Sequence, residues 1–139
     1  MIVLDTSGLL AAIDDRQSAH RSAKEALEAD AGPYLLSPFV LAEMDYLLQT
    51  RVGQAAELLF LAEVARGAYR LEPFTPAEIE QAGGVIGRYR DLGVGLADAS
   101  VVVLAARAGT NRVLTLDERH FRAVRPLHGR TFTVLPADA

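Results

Sequence analysis

The sequence predicts an α/β fold, a mainly parallel five-stranded sheet between two layers of helices. Three observations carry this. Short apolar runs alternate with helical stretches of ten or more residues, the order of strand, crossover and parallel strand. The strongest runs are apolar throughout rather than alternating, which calls for strands covered on both faces. A chain of 139 residues, 50% hydrophobic and 23% charged, can bury such a sheet without crosslinks.

Each element has its own signal. Met1–Leu4 is an apolar run ended by Asp5-Thr6-Ser7-Gly8, so a buried strand feeds a helix carrying Leu9, Leu10 and Ile13. Residues 18–30 suit a polar helix, and Tyr34–Ser37 a second strand. Pro38 opens a helix through Arg51, and Gly53 separates it from Gln54–Arg66, whose Leu58-Leu59-Phe60-Leu61 is apolar on nearly every side. Tyr69–Phe74 reads as a third strand, Pro76 begins a helix to about Leu92, and Leu96–Ala108 is a helix stopped by Gly109. Arg112–Leu116 is the fourth strand, Glu118–Phe121 a helical turn, and Phe132–Leu135 the fifth strand. No repeat or linker interrupts the chain, so residues 1–139 are expected to form one domain.

Composition removes several classes of function. With Cys 0, thiolate metal sites, disulfides and cysteine nucleophiles are excluded. No apolar run approaches the ~20 residues of a membrane span, and the opening segment has an acid inside it and no basic start, unlike a secretory signal. A cytoplasmic protein with no membrane partner is expected. The net charge of -4 at first argues against a nucleic-acid partner. It hides an asymmetry: residues 88–139 hold eight arginines against five acids, and six arginines from Arg107 to Arg130 face only Asp117 and Glu118. Such a stretch can be a solvated face or a field that holds phosphate.

In open α/β sheets, ligands bind beyond the carboxyl ends of the strands. Asp5 and Asp117 each stand just past a strand, where helix capping would also account for them. Asp98 opens the helix continued by Val101-Val102-Val103-Leu104-Ala105-Ala106, apolar all round and therefore buried. A charge on the first turn of such a helix needs an answering cation or base. On the helix from Pro38, Glu43 and Asp45 flank the stripe of Val40, Met44, Leu47 and Leu48 on opposite sides, and periodicity cannot choose between them. Converging carboxylates repel one another, and protonation or a divalent cation relieves this. Oxygen donors without cysteine point to Mg²⁺ or Mn²⁺ rather than zinc. With arginines nearby, such a site would position a phosphodiester and activate a water for in-line attack.

Val3-Leu4-Asp5-Thr6-Ser7, Leu41-Ala42-Glu43, Leu96-Ala97-Asp98-Ala99 and Leu114-Thr115-Leu116-Asp117-Glu118-Arg119-His120-Phe121 resemble the four acidic motifs of PIN-domain ribonucleases. Length and spacing are similar to the VapC-type toxins of toxin–antitoxin pairs. The resemblance spans essentially the whole chain and implies a three-layer α/β/α PIN-like fold. It makes Asp5, Glu43, Asp98 and Asp117 the metal-site and catalytic acids, and so selects Glu43 over Asp45. It assigns Thr6 or Ser7, and Thr115, as supporting hydroxyls. It implies a Mg²⁺- or Mn²⁺-dependent endoribonuclease, a homodimer, and a small VapB-like antitoxin partner. For RNA phosphates the candidates are Arg112, Arg119, Arg122 and Arg125. His120 stands where the family often has an acid and receives no catalytic role; His20 and His128 are expected at the surface or at caps.

Other readings make different demands. A haloacid-dehalogenase-like phosphatase needs a second Asp two residues after the first, where Ser7 stands. A response-regulator receiver needs a late lysine, and none follows Lys24. A non-catalytic PIN-like module binding RNA or protein is the remaining alternative, disfavoured by the intact acids.

Overall fold

A computed structural model describes residues 1–139. Five strands, β1 (Ile2–Leu4), β2 (Tyr34–Leu36), β3 (Arg70–Leu71), β4 (Arg112–Leu114) and β5 (Thr133–Leu135), form one sheet in the order β3-β2-β1-β4-β5. Every pairing is parallel, with Leu4 opposite Leu114 and Val3 opposite Leu35. The sheet is therefore fully parallel rather than mainly so. Seven helices cover it: α1 (Thr6–Ile13), α2 (His20–Ala29), α3 (Pro38–Leu47), α4 (Gln54–Ala65), α5 (Pro76–Arg88), α6 (Leu96–Ala108) and α7 (Glu118–Ala123). Right-handed crossovers place successive helices on opposite faces once the strand order reverses. The reversal falls between β1 and β4, the position where such sheets open a crevice.

Ile2, Val3, Leu4, Leu35, Leu36, Val113 and Leu114 are fully buried at the centre of a 31-residue apolar core. Helix α6 contributes Val101–Ala105 to it and lies against β1 and β4, so its apolar circumference is consumed within the fold. Gly109, left-handed at φ 74°, ends α6 as the sequence predicts.

Some boundaries differ from the sequence reading. The third strand is two residues rather than six, because it is an edge strand with exposed side chains and Pro73 has no N–H with which to continue the ladder after Glu72 N–H donates to Leu36 O. The helix from Pro38 is α-helical only to Leu47 and continues as a π-turn, Leu48–Val52. The helix from Pro76 ends at Arg88, followed by a 3₁₀ turn at Arg90–Leu92. The fourth strand stops at Leu114, where the next residues leave the sheet to build the site.

Candidate active site

At the carboxyl ends of β1 and β4 the backbone is drawn close: Asp5 N–H donates to Leu114 O at 3.0 Å. Gly8, in the first turn of α1, makes this approach possible. A Cβ there would lie 2.4 Å from Leu114 O and 2.7 Å from Thr115 N.

Asp5 occupies the cap position of α1 but makes no side-chain capping bond. Its carboxylate turns to β4 instead. Oδ2 accepts from Thr115 Oγ1 at 2.7 Å and from Ser7 Oγ at 3.3 Å. The same hydroxyls order the chain leading to Asp117, since Leu116 N–H donates to Ser7 Oγ and Asp117 N–H to Thr115 Oγ1, both at 2.9 Å. Of the two hydroxyls offered by the sequence, Ser7 thus joins the network. Thr6 Oγ1 is buried without a hydrogen-bond partner, and only the Thr6 backbone serves the Asp5 carboxylate. Asp5 is 3% exposed. Burial pushes its carboxyl up to about 7, the Asp98 charge adds to the rise, and the bonds from Thr115, Thr6 and Ser7 offset part of it.

Asp98 is the third residue of α6, and burial raises its pKa first. Asp117 and Glu43 push it further, while His120 opposes them. Asp117 caps α7, accepting from His120 N–H at 3.0 Å. The His120 ring lies between two of the acids: Nδ1 is 3.1 Å from Asp98 Oδ2 and 2.9 Å from Asp117 Oδ2, and Nε2 is 2.8 Å from Leu92 O. One ligand atom from each of Asp98, Asp117 and His120 falls within 4.8 Å of the others, a grouping able to hold a cation.

Glu43 is exposed on α3 and reaches this group through its charge on Asp98. The helix that carries it is anchored to that of Asp98. Ser37 Oγ caps α3 by accepting from Phe39 and Val40 N–H, and lies 2.7 Å from Ser100 Oγ on α6. Asp45 instead faces Glu57 on α4, and the proximity of the two carboxyls raises the pKa of Glu57.

The arginines divide differently from the sequence reading. Arg112 stands at the amino end of β4, away from the acids, with Nε 3.0 Å from buried Asp30. Arg122 is committed to Asp138 at 2.6 Å and Glu118 at 3.1 Å, which raises its pKa and lowers that of Asp138 to about 2. Both are thus ion-paired with acids of this chain. Arg107 is likewise paired, with Glu72 and Glu78. Arg119 and Arg125 remain exposed, without ion-pair partners.

His120 is the residue that sequence reasoning missed. Its signal was the three-residue spacing from Asp117 on a helical turn, which puts both on one face. His20 is a cap residue as expected, its Nδ1 2.8 Å from Ala11 O beyond the middle of α1.

Several known proteins share this arrangement of chain. Over 135 residues the sequence is 47% identical to Ribonuclease VapC26 of Mycobacterium tuberculosis (strain ATCC 25618 / H37Rv), covering 97% of this chain and 100% of that one. The structure of Mycobacterium tuberculosis VapC20, described as a Sarcin-Ricin loop cleaving toxin, superposes with a TM-score of 0.83 at 25% identity, over 94% of this chain and 99% of that one. DNA-bound VapBC from Salmonella typhimurium has the same fold, with a TM-score of 0.68 at 16% identity, over 96% of this chain and 95% of that one. A model of the PIN domain matches residues 2–126, a span that takes in β1, the reversal point and every acid of the crevice. By its sequence as by its fold, the chain belongs to the PIN-domain family.

Proposed function

We propose that this protein is a Mg²⁺- or Mn²⁺-dependent endoribonuclease and the toxin of a toxin–antitoxin pair, with residues 1–139 acting as one domain in the cytoplasm. The observation that carries the reading is the grouping of Asp98, Asp117 and His120 at the crevice, with Asp5 feeling the Asp98 charge and Asp98 that of Glu43. Near-full-length identity to a protein named a ribonuclease supports it.

The donor set fits a hard divalent cation: carboxylate oxygens, no thiol, and a buried Asp5 whose raised pKa reflects a charge that the fold alone does not answer. Asp5 and Asp98 would be the main ligands, with Asp117 direct or through water. When bound, the cation supplies Lewis-acid charge to a phosphodiester and lowers the pKa of a water. The chain's own contribution is positioning. Thr115 and Ser7 fix the Asp5 oxygen that faces them, and Asp117 is held by the chain those hydroxyls order. Glu43, exposed at the mouth, orients the attacking water by accepting one of its protons in a hydrogen bond. Arg119, exposed in the first turn of α7 and without an ion-pair partner, contacts an RNA phosphate.

A small antitoxin partner and a homodimer belong to the same reading. Leu58 and Leu59 are each 59% exposed on α4, while Phe60, the next residue, is buried. Beside them a cleft of about 600 Å³ has an apolar floor that includes Val52, Leu59 and Phe60 and a charged rim of Asp14, Asp15, Arg16 and Glu63. An amphipathic helix would bury these side chains.

The test is cleavage of RNA by purified protein with Mg²⁺ or Mn²⁺, leaving 5′-phosphate and 3′-hydroxyl ends and abolished by EDTA, together with growth arrest on expression and rescue by the adjacent upstream gene. Undiminished cleavage by Asp5→Asn or Asp98→Asn would remove the assignment. A harmless product with no neighbouring partner gene would remove the toxin reading alone.

A further inference from the structure

A second cavity, about 640 Å³, opens between α7 and the outer edge of β5 and is unrelated to the acid cluster in charge. Its lining includes Arg122, Arg125, Arg130, Thr131, Thr133 and Asp138. Arg122 is already paired with Asp138 and Glu118, and the Asp138 carboxylate also accepts from Val134 N–H at 2.8 Å. That leaves Arg125 and Arg130 as two uncompensated guanidinium groups in one concave site, with two threonine hydroxyls beside them. Concave walls of one charge focus field and raise the local concentration of anions.

The site is linked to the crevice by a single short element. Asp117 caps the start of α7, while Arg122 lies in its last turn and Arg125 just beyond. Six residues at 1.5 Å of rise put the two regions roughly 9 Å apart along the helix. The floor between them is fixed by Phe121 on α7 packing edge-on against Phe132, ring centroids 5.5 Å apart. The Tyr89 hydroxyl accepts from Arg125 N–H at 3.1 Å and fixes the backbone at the pocket's rim.

We infer that the pocket between α7 and β5 is an anion subsite in which Arg125 and Arg130 hold two backbone phosphates of the single-stranded RNA on one side of the cleavage point. This rests on the ribonuclease reading for its choice of anion. Arginine forks suit phosphate oxygens, and threonine hydroxyls complete contacts to the sugar–phosphate chain without reading bases. The contact supplies affinity and register rather than sequence preference, because no base edge need enter the pocket.

Binding of a fluorescein-labelled, mixed-sequence single-stranded RNA of about twelve nucleotides is to be measured in EDTA across a range of salt, so that no cleavage occurs. Each phosphate contact on a single strand contributes about 0.7 to the slope of log K against log salt, so Arg125→Gln with Arg130→Gln should lower it by about 1.4. Arg66→Gln with Arg70→Gln, at the opposite sheet edge, should leave it unchanged, and Arg125→Lys with Arg130→Lys should retain it. All six substitutions are at exposed positions and should melt as wild type does. An unchanged slope in the Arg125/Arg130 glutamine variant, or an equal fall in the Arg66/Arg70 variant, overturns the subsite. So does a loss restricted to an acidic peptide competitor with RNA binding intact, which would make the pocket a protein contact. If the wild type binds RNA through these arginines but cleaves none with Mn²⁺, the subsite stands and the ribonuclease reading fails.

Discussion

Replacing Asp5 by Asn separates what this carboxylate costs the fold from what it supplies to the site. Burial lifts the group to about 7 from 3.8, and at 1.36 kcal/mol per unit the ionised form is disfavoured in the folded chain by about 4 kcal/mol at most. The folded protein therefore holds a proton between about pH 4 and 7 that the unfolded chain has released. Stability from this group is fully present below about pH 4 and is lost as pH rises through 7. Asn has the same shape, keeps an oxygen for Thr115 Oγ1 and carries no charge. In EDTA at pH 8, Asp5→Asn is expected to be more stable than wild type by about 2 to 4 kcal/mol, and at pH 4 the two should nearly coincide. Urea unfolding followed by circular dichroism at both pH values measures the difference. Added Mn²⁺ should raise the wild-type midpoint and leave that of the variant where it was, through preferential binding to the folded state. A variant at pH 8 no more stable than wild type would refute the burial argument, whatever its activity.

Three further perturbations follow from the same contacts. Thr115→Val removes the donor to Asp5 and the acceptor for Asp117 N–H, and an outer partner of this kind is worth about 10- to 100-fold in metal affinity or activity; Mn²⁺ titration of activity checks it, and an unchanged midpoint counts against Thr115 as a positioning residue. Gly8→Ala places a methyl group 2.4 Å from Leu114 O and should cost about 3 kcal/mol in urea unfolding while separating Asp5 from Thr115; wild-type stability would mean that α1 can shift freely. Asp30→Ala leaves the Met1 ammonium and Arg112 unpaired and should cost about 2 kcal/mol at pH 7, less than a fully buried pair because both cations are partly exposed. Cleavage per folded molecule should be unaffected, since these groups lie at the amino ends of the strands.

What was legible in the sequence was local. Asp5 and Asp117 could be found because each follows a short apolar run, and a strand end is where a parallel sheet exposes its crevice. Asp98 is legible because it stands one residue before the part of α6 that is buried all round, Ala99–Ala105, which sets it at the edge of the interior. Glu43 and Asp45 were indistinguishable because the difference is made by Glu57, on another helix. The ion pairs of the arginines are hidden from the sequence for the same reason at longer range: Arg112 pairs with Asp30, and Arg107 with Glu72 and Glu78, partners that no local count of charge can supply. The third strand was read too long because its apolar pattern continues past Pro73, while hydrogen bonding at an edge cannot.

The two buried aspartates at opposite ends of β1 give the strongest internal argument for where function lies. Asp30, at the amino end, accepts from the Met1 ammonium at 2.8 Å, Gly32 N–H at 2.8 Å and Arg112 Nε at 3.0 Å. Burial alone would raise its pKa, yet those cations and donors carry it below the ordinary carboxylate value. It is stabilising above about pH 4 and loses that contribution as pH falls. Asp5, at the carboxyl end, lies deeper in the protein and is served by the Thr115 and Ser7 hydroxyls but by no cation; the one charge that acts on it is that of another acid, Asp98. Of two aspartates with little exposed surface, one is satisfied by cations at the amino ends of the strands and the other meets none at the carboxyl ends. A fold selected for stability alone would treat both ends as it treats Asp30. The unanswered end is also the end at which the strand order reverses, Asp117 and Glu43 arrive, and the one nearby base, His120, is shared between two of the acids. A divalent cation bound there, as proposed above, would answer this imbalance, and the gain in wild-type stability on adding Mn²⁺ at alkaline pH is the measurement that checks it.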